Sequence, residues 1–404
     1  MAIATETRNA NLADLAQMLK EQAVAKHDVI VDANGIRSVN GVLHIAGAGY
    51  GSEIPGFTGE TGTFLPTEIM DGHISVKLGI PVKYLRRMRA DRIDLYDANL
   101  NGWLQGEGPT YTEDPVTGYI ANQAAPDSRR FLVRTFKDPN GGVGIGRSLA
   151  SDSFGLYDNL DMLTALLTGV QEVEATLGKA VRVTGCDLSE RRMIVRMDCP
   201  DLGMQASELL AGYRSPFTDR PVFGPTAKVG DWVSAGIVAT NSETGGSAWQ
   251  IAPRIQVLAC TNGMTITKDA MRAIHLGSKL DEGVVTWNAD TQEKNIALIT
   301  AKTRDAVSTF LTPGYLEEQI AKITEVAKTP VTDPAKTVEV VAKAMAYTEE
   351  QQAGILDHFI KGGQVTAGGI LQAVTSYAQT EASGDTQYDL EAGALQAMEV
   401  AAKA

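Results

Sequence analysis

Two stretches of this chain concentrate cations beside aromatic rings. Between Lys77 and Arg92, six cations (Lys77, Lys83, Arg86, Arg87, Arg89, Arg92) stand against one carboxylate, Asp91. Between Arg129 and Arg147, five (Arg129, Arg130, Arg134, Lys137, Arg147) stand against Asp138. Tyr84, Phe131 and Phe136 are interleaved with them. Cations that meet phosphates and ring faces that stack on bases are what a single-stranded nucleic acid requires of a binding surface. The expected phosphate contacts are therefore Lys83, Arg86, Arg87, Arg89, Arg129, Arg130, Arg134 and Arg147, with Tyr84, Phe131 or Tyr157 as stacking rings. The competing reading is structural: a helix over 82–89 carries its cations on a solvated face, and Phe131 and Phe136 are strand core.

The other chemical patterns are poorer. Gly141-Gly-Val-Gly-Ile-Gly-Arg-Ser148 has the glycine spacing of a phosphate loop, but Arg147 stands where the lysine belongs and the run leads into a strand rather than a helix N-terminus. It reads as a Gly-rich hairpin. His27, His44, His73, His275 and His358 are scattered with no partner at metal-ligand spacing. Cys260-Thr-Asn-Gly-Met264 lacks the frame and the base of a nucleophile elbow. The adjacent acidic pairs Glu317-Glu318 and Glu349-Glu350 do not share a helix face. No catalytic residue, metal ligand or cofactor site is expected.

The elements that must hold these residues follow from periodicity. Asn11 starts a helix with apolar residues Leu12, Leu15, Ala16 and Leu19 on one side. Short β-rich runs at 29–31, 36–39 and 42–45 are separated by Asn34-Gly35 and Asn40-Gly41, which accept the positive φ of tight hairpins. Gly-rich residues 47–66 read as a linker, and 105–128 as a long loop. Thr67 and Pro81 start two helices, Asp138-Pro-Asn-Gly-Gly142 closes a hairpin, and Asp158 caps a helix through Leu177. Two further hairpins turn at 187–192 and 241–246. Helices are expected near 292–311, 315–328, 335–347, 349–361, 367–379 and 388–403. This is an α+β chain: a hairpin-rich antiparallel sheet core with packed helices, followed by an all-α C-terminal domain. The expected units are 1–66, 67–290 and 291–404.

The formal net charge is -13, and residues 300–404 hold eight Lys/Arg against fourteen Asp/Glu, so the acidity is regional and compatible with a basic groove elsewhere. Three cysteines without a CxxC pair fit a reducing, cytoplasmic setting. No apolar run approaches the ~20 residues of a membrane span, so no membrane partner is expected.

The segments Leu78-Gly-Ile-Pro-Val-Lys-Tyr-Leu-Arg-Arg-Met88, Arg147-Ser-Leu-Ala-Ser-Asp-Ser-Phe-Gly-Leu-Tyr-Asp-Asn159, Asn241-Ser-Glu-Thr-Gly-Gly246, Cys260-Thr-Asn-Gly-Met264 and Thr366-Ala-Gly-Gly-Ile-Leu-Gln-Ala-Val-Thr-Ser-Tyr377 carry a resemblance. In them the chain resembles the phage/plasmid-like protein family known as domain of unknown function 932, in its actinobacterial and actinophage members. The resemblance implies an origin in a phage, prophage or plasmid and brings no activity with it. By fold analogy, a hairpin–helix–hairpin core is similar to that of ring-forming single-strand annealing proteins. The expectation is an ATP-independent, homo-oligomeric protein that binds or anneals single-stranded DNA in replication or recombination. The alternative is a non-enzymatic structural or interaction protein that assembles or binds a host factor. Residues 348–379 resemble a helix-turn-helix, but 367–379 contain no Lys or Arg and suit packing better than groove reading.

Overall fold

The computed structural model describes residues 3–46, 58–106, 116, 126–152, 157–217, 231–257, 262–273, 279–280, 285–286 and 289–404. Two sheets of six or more strands and eleven helices among these residues make the fold α+β. Strand β1 (Thr7–Ala10) precedes α1 (Leu12–Ala25), whose N-cap Asn11 accepts from the Asp14 amide. Then come β2 (Val29–Asp32), β3 (Ile36–Val39), β4 (Val42–Ile45), β5 (Gly62–Pro66), α2 (Glu68–Leu78), α3 (Val82–Asp91), α4 (Ile93–Gln105), β6 (Arg130–Phe136) and β7 (Gly144–Ser151).

The first sheet runs β2-β6-β7-β5-β4-β3. Its β3–β4 hairpin closes on Asn40 and Gly41 at φ 52 and 74, the left-handed pair that such a two-residue turn demands. Asn34-Gly35 does not close a hairpin. Ala33–Gly35 is a single 3-10 turn, and the strands on either side of it lie at opposite edges of the sheet. Three residues reach only about 11 Å, so the sheet must roll to bring those edges near one another. The expected linker is also corrected in part. Residues 62–66 form an interior strand, antiparallel to β4 and parallel to β7, while 47–57 lie outside the described residues. The expected boundary at 66/67 thus sits between strands and helices of one layered unit. Its core joins Val29, Val31, Ile36, Leu43, Ile45, Phe64, Phe131 and Val133 to Met70, Ile74, Leu85, Met88, Tyr96, Leu100 and Leu104 of the three helices.

Helix α5 (Asn159–Leu177) leads into β8 (Arg182–Leu188), β9 (Met193–Gln205), β10 (Trp232–Asn241), β11 (Trp249–Val257), β12 (Asn262–Thr265) and β13 (Met271–Ala273). This sheet has the order β1-β8-β9-β10-β11-β12, with β13 also on β11. Period two divides its faces. Val195, Met197, Ile237, Ala239 and Ile251 join the core with Leu15, Leu19, Leu163 and Leu166, whereas Arg196, Asp198 and Arg254 point to the other side.

The remaining helices are α6 (Ala289–Phe310), α7 (Pro313–Ala327), α8 (Pro334–Met345), α9 (Glu349–Gly362), α10 (Ala367–Ala378) and α11 (Gly384–Ala401). Their bounds follow the expected ones within a few residues. Helix α11 covers the charged face of the second sheet: buried Glu391 lies 3.4 Å from Arg196, and Asp389 takes a bond of 2.8 Å from Arg192. One continuous apolar core runs from α1 through the second sheet to α11, so the expected C-terminal unit 291–404 shares its interior with the sheet. Among the described residues, no helix is long and apolar enough to cross a membrane.

Candidate functional site

The arginines expected to meet phosphates are bound to carboxylates and carbonyls of the protein itself. Arg86 donates to the Glu68 carbonyl at 2.9 Å and lies 3.4 Å from its carboxylate. Arg89 holds the Pro66 carbonyl at 2.6 Å and the buried Asp71 at 2.9 Å. Arg87 faces Asp91 at 3.6 Å one helical turn away. Arg129 grips Asp127 at 2.6 Å, donates to the Lys77 carbonyl at 2.8 Å and stacks on Phe131. Arg130 pairs with Asp152 at 3.2 Å. The local cation excess counted along the sequence is thereby largely cancelled in space by Glu68, Asp71, Asp127, Asp152 and, as below, more distant carboxylates.

Four expected contacts are excluded by burial. Arg134 and Phe131 are 0% and 1% exposed, Tyr157 5% and Arg147 9%. A group inside the protein meets neither phosphate nor base. Arg134 and Arg147 instead build an ionic junction between the two sheets. From β6, Arg134 donates to Asp28 at 2.9 Å, to Asp158 at 2.5 Å and to the Glu243 carbonyl at 2.8 Å. Lys26 bonds Asp158 at 2.6 Å, and Arg147 of β7 bonds the Glu243 carboxylate while lying over the Phe136 ring. Three cations thus face three carboxylates, which is the condition for keeping charges out of water. Burial works to raise the Asp158 pKa, but Arg134 and Lys26 outweigh it and hold this carboxyl well below its usual range.

The junction reassigns the expected cap of α5. The Asp158 side chain makes no capping bond, being committed to Arg134 and Lys26. The Asn159 amide is taken at 2.6 Å by Glu243, 84 residues further on. Asn241 adds bonds to the Tyr157 carbonyl and the Asn159 side chain. The turn at 241–246 is therefore a hairpin, as expected, and also a bolt between the halves of the molecule. Gly141 to Ser148 form a hairpin that continues as strand β7 rather than as a helix, and the α2 N-cap Thr67 donates its amide to the Gly146 carbonyl at 2.9 Å.

Lys83, Tyr84 and Arg87 are exposed on α3, Tyr84 to 51%. Beside them α4 has two working sides. Its Asp97, Asn101 and Gln105 recur every fourth residue and take the open edge of β3. Asp97 accepts from Ser38 Oγ and from the Asn40 and Gly41 amides; Asn101 exchanges bonds with the Ser38 backbone; Gln105 donates to the Ile36 carbonyl. An unpaired strand edge is a template for adventitious pairing, and this ladder closes it. The opposite side exposes Trp103 to 54% over a shallow depression of about 290 Å³ between Ala98, Asn99, Gly102 and Trp103. Ile93 is exposed to 41% at the start of the same helix.

Chemistry elsewhere is enclosed. Ser148 Oγ lies 3.1 Å from His73 Nδ1, but Ser148 is wholly buried and no substrate reaches it. His358 Nδ1 lies 2.8 Å from the buried Ser376 hydroxyl, while His44 is exposed. Burial pushes the Cys186 thiol up to about 11 and raises Cys199 as well, which leaves both as poor nucleophiles. Cys260 and His275 lie outside the described residues. Among the described residues no group of His, Cys, Asp and Glu is placed to hold a metal ion. No family model, curated protein or solved structure matches the chain.

Proposed function

We propose that this chain is an interaction protein that assembles with copies of itself through the α3–α4 face. The observation that carries the reading is Trp103, half exposed over the depression formed with Ala98, Asn99 and Gly102. Tryptophan is enriched among the residues that anchor protein interfaces. Elsewhere on α3 and at the start of α4, exposed Lys83 and Arg87 together with Asp91 and Asp94 supply both signs of charge, as a self-complementary contact needs. The resemblance to phage/plasmid-like proteins supports a mobile-element setting for such an assembly. Cross-linking through the surface lysines tests this: intermolecular links at Lys83 support it, and their absence from a cross-linked oligomer removes this face from the interface.

A second reading is favoured by the exposed Lys83, Tyr84 and Arg87: a small single-stranded DNA contact on α3, without the buried arginines. With two or three phosphates engaged, its affinity falls only shallowly with salt, roughly as the 1.4 to 2.1 power. An anisotropy titration with labelled oligothymidylate across a salt series decides it. Failure to bind at low salt rejects this reading and leaves the assembly reading in place.

A further inference from the structure

The two sheets have separate interiors. Every residue of the first core lies between Val29 and Leu149, and the second core takes Leu15 and Leu19 from α1 and then nothing before Tyr157. Residues 29–151 are therefore inserted into the chain of the other half, between α1 and α5. Both crossings fall at one place: Lys26, just past α1, bonds Asp158, just before α5, at 2.6 Å. Neighbouring ends are what a domain inserted into another needs. Among the described residues, no helix or strand of one half packs along a helix or strand of the other. The bonds that join the halves are polar. Arg134 reaches Asp158 and the Glu243 carbonyl, Arg147 bonds the Glu243 carboxylate, and Ser148 Oγ lies 3.4 Å from the Thr244 carbonyl. Beside them a gap of about 10 Å³ is lined by Phe136, Ile145 and Arg147 of one half and by Asn159, Leu188 and Glu190 of the other. A polar contact between two cores makes relative motion of the two the default.

We infer that residues 29–151 fold as a domain of their own, docked on the rest by a charge latch at Glu243, and swing away as a rigid body when that latch is broken. Both arginines run to Glu243, which is also the residue that caps α5. Arg134 has a second carboxylate in Asp28, which the Thr135 amide of its own strand also holds, so the latch depends on Arg147. Opening uncovers Arg147 and Ser148, which the 241–246 turn covers in the docked state.

X-ray scattering of the full chain, coupled to size-exclusion chromatography, tests the latch. Arg147→Glu sets a carboxylate against Glu243. The expected result is a larger radius of gyration and a second maximum in the distance distribution, with the far-ultraviolet circular dichroism of the parent. A folded variant as compact as the parent overturns the proposal. Independence of the two halves is read on the parent itself, by hydrogen exchange in rising urea. Amides of β4 and β6 are expected to lose protection at a different urea concentration from those of β9 and β10, since separate cores open as separate units. Loss of both sets at one concentration overturns the proposal, whether or not Arg147→Glu folds.

Discussion

Replacing Arg134 by Met keeps the apolar stem and deletes the charge at the centre of the ionic junction. Three bonds are lost, to Asp28, Asp158 and the Glu243 carbonyl. Asp28 is 1% exposed, so its charge cannot be recovered by water. Removing one partner of a buried ion pair costs about 3–5 kcal/mol. Lys26, 3.6 Å from Asp28, compensates in part and places the expected loss near the lower end, about 3 kcal/mol. Urea unfolding followed by circular dichroism measures it, with Asp28→Asn and the double variant completing a cycle. The double variant is expected to recover at least about 1 kcal/mol relative to additivity, because the stranded carboxylate is gone. A loss below about 1 kcal/mol for Arg134→Met, with additive single effects, refutes the argument that this arginine serves the fold.

Acid should loosen the same junction. Asp158 has a folded pKa below its unfolded value of about 4, so its stabilisation is complete above about pH 4 and disappears as pH falls further. The stability gap between the parent and Asp158→Asn should accordingly narrow between about pH 4 and pH 2, and a gap constant over that range contradicts the assignment. Asp97→Ala leaves the Asn40 and Gly41 amides without their acceptor, and a loss of about 1–3 kcal/mol with faster hydrogen exchange at Asn40 is expected. Unchanged exchange there contradicts the edge-closing role of α4. Gly263→Ala sets a Cβ 1.9 Å from the Arg254 guanidinium, which bonds Asp198, so a lower thermal midpoint is expected. A midpoint equal to the parent's means that Arg254 has room to move.

The elements of this fold were legible where local chemistry and tertiary need agreed. The Asn40-Gly41 turn, the Asp138–Gly142 hairpin and the C-terminal helices all follow from spacing and punctuation. Helix α4 was not legible, since Asp94, Asp97, Asn99, Asn101 and Gly102 are poor helix formers. It is held by Leu100, Leu104 and Tyr96 in the core and by its bonds to β3. Strand β5 was hidden in a Gly-rich stretch because its pairing with β7 lies some 80 residues further on in the chain. The charge excess around Arg86 and Arg130 misled for the same reason. Net charge along a sequence omits the partners that folding brings in, and Asp28, Asp158 and Glu243 are far from Arg134 and Arg147 in the chain. The turn at 241–246 signalled a hairpin, but nothing local announced that Glu243 caps a helix begun at Asn159.

Sedimentation equilibrium of the parent and of Trp103→Glu, over a range of protein concentration, bears most directly on the proposed role. The account predicts a multimer for the parent and a folded monomer, or an association weakened roughly thirtyfold or more, for the variant. A parent that stays monomeric at every concentration, or a variant of unchanged mass, contradicts it.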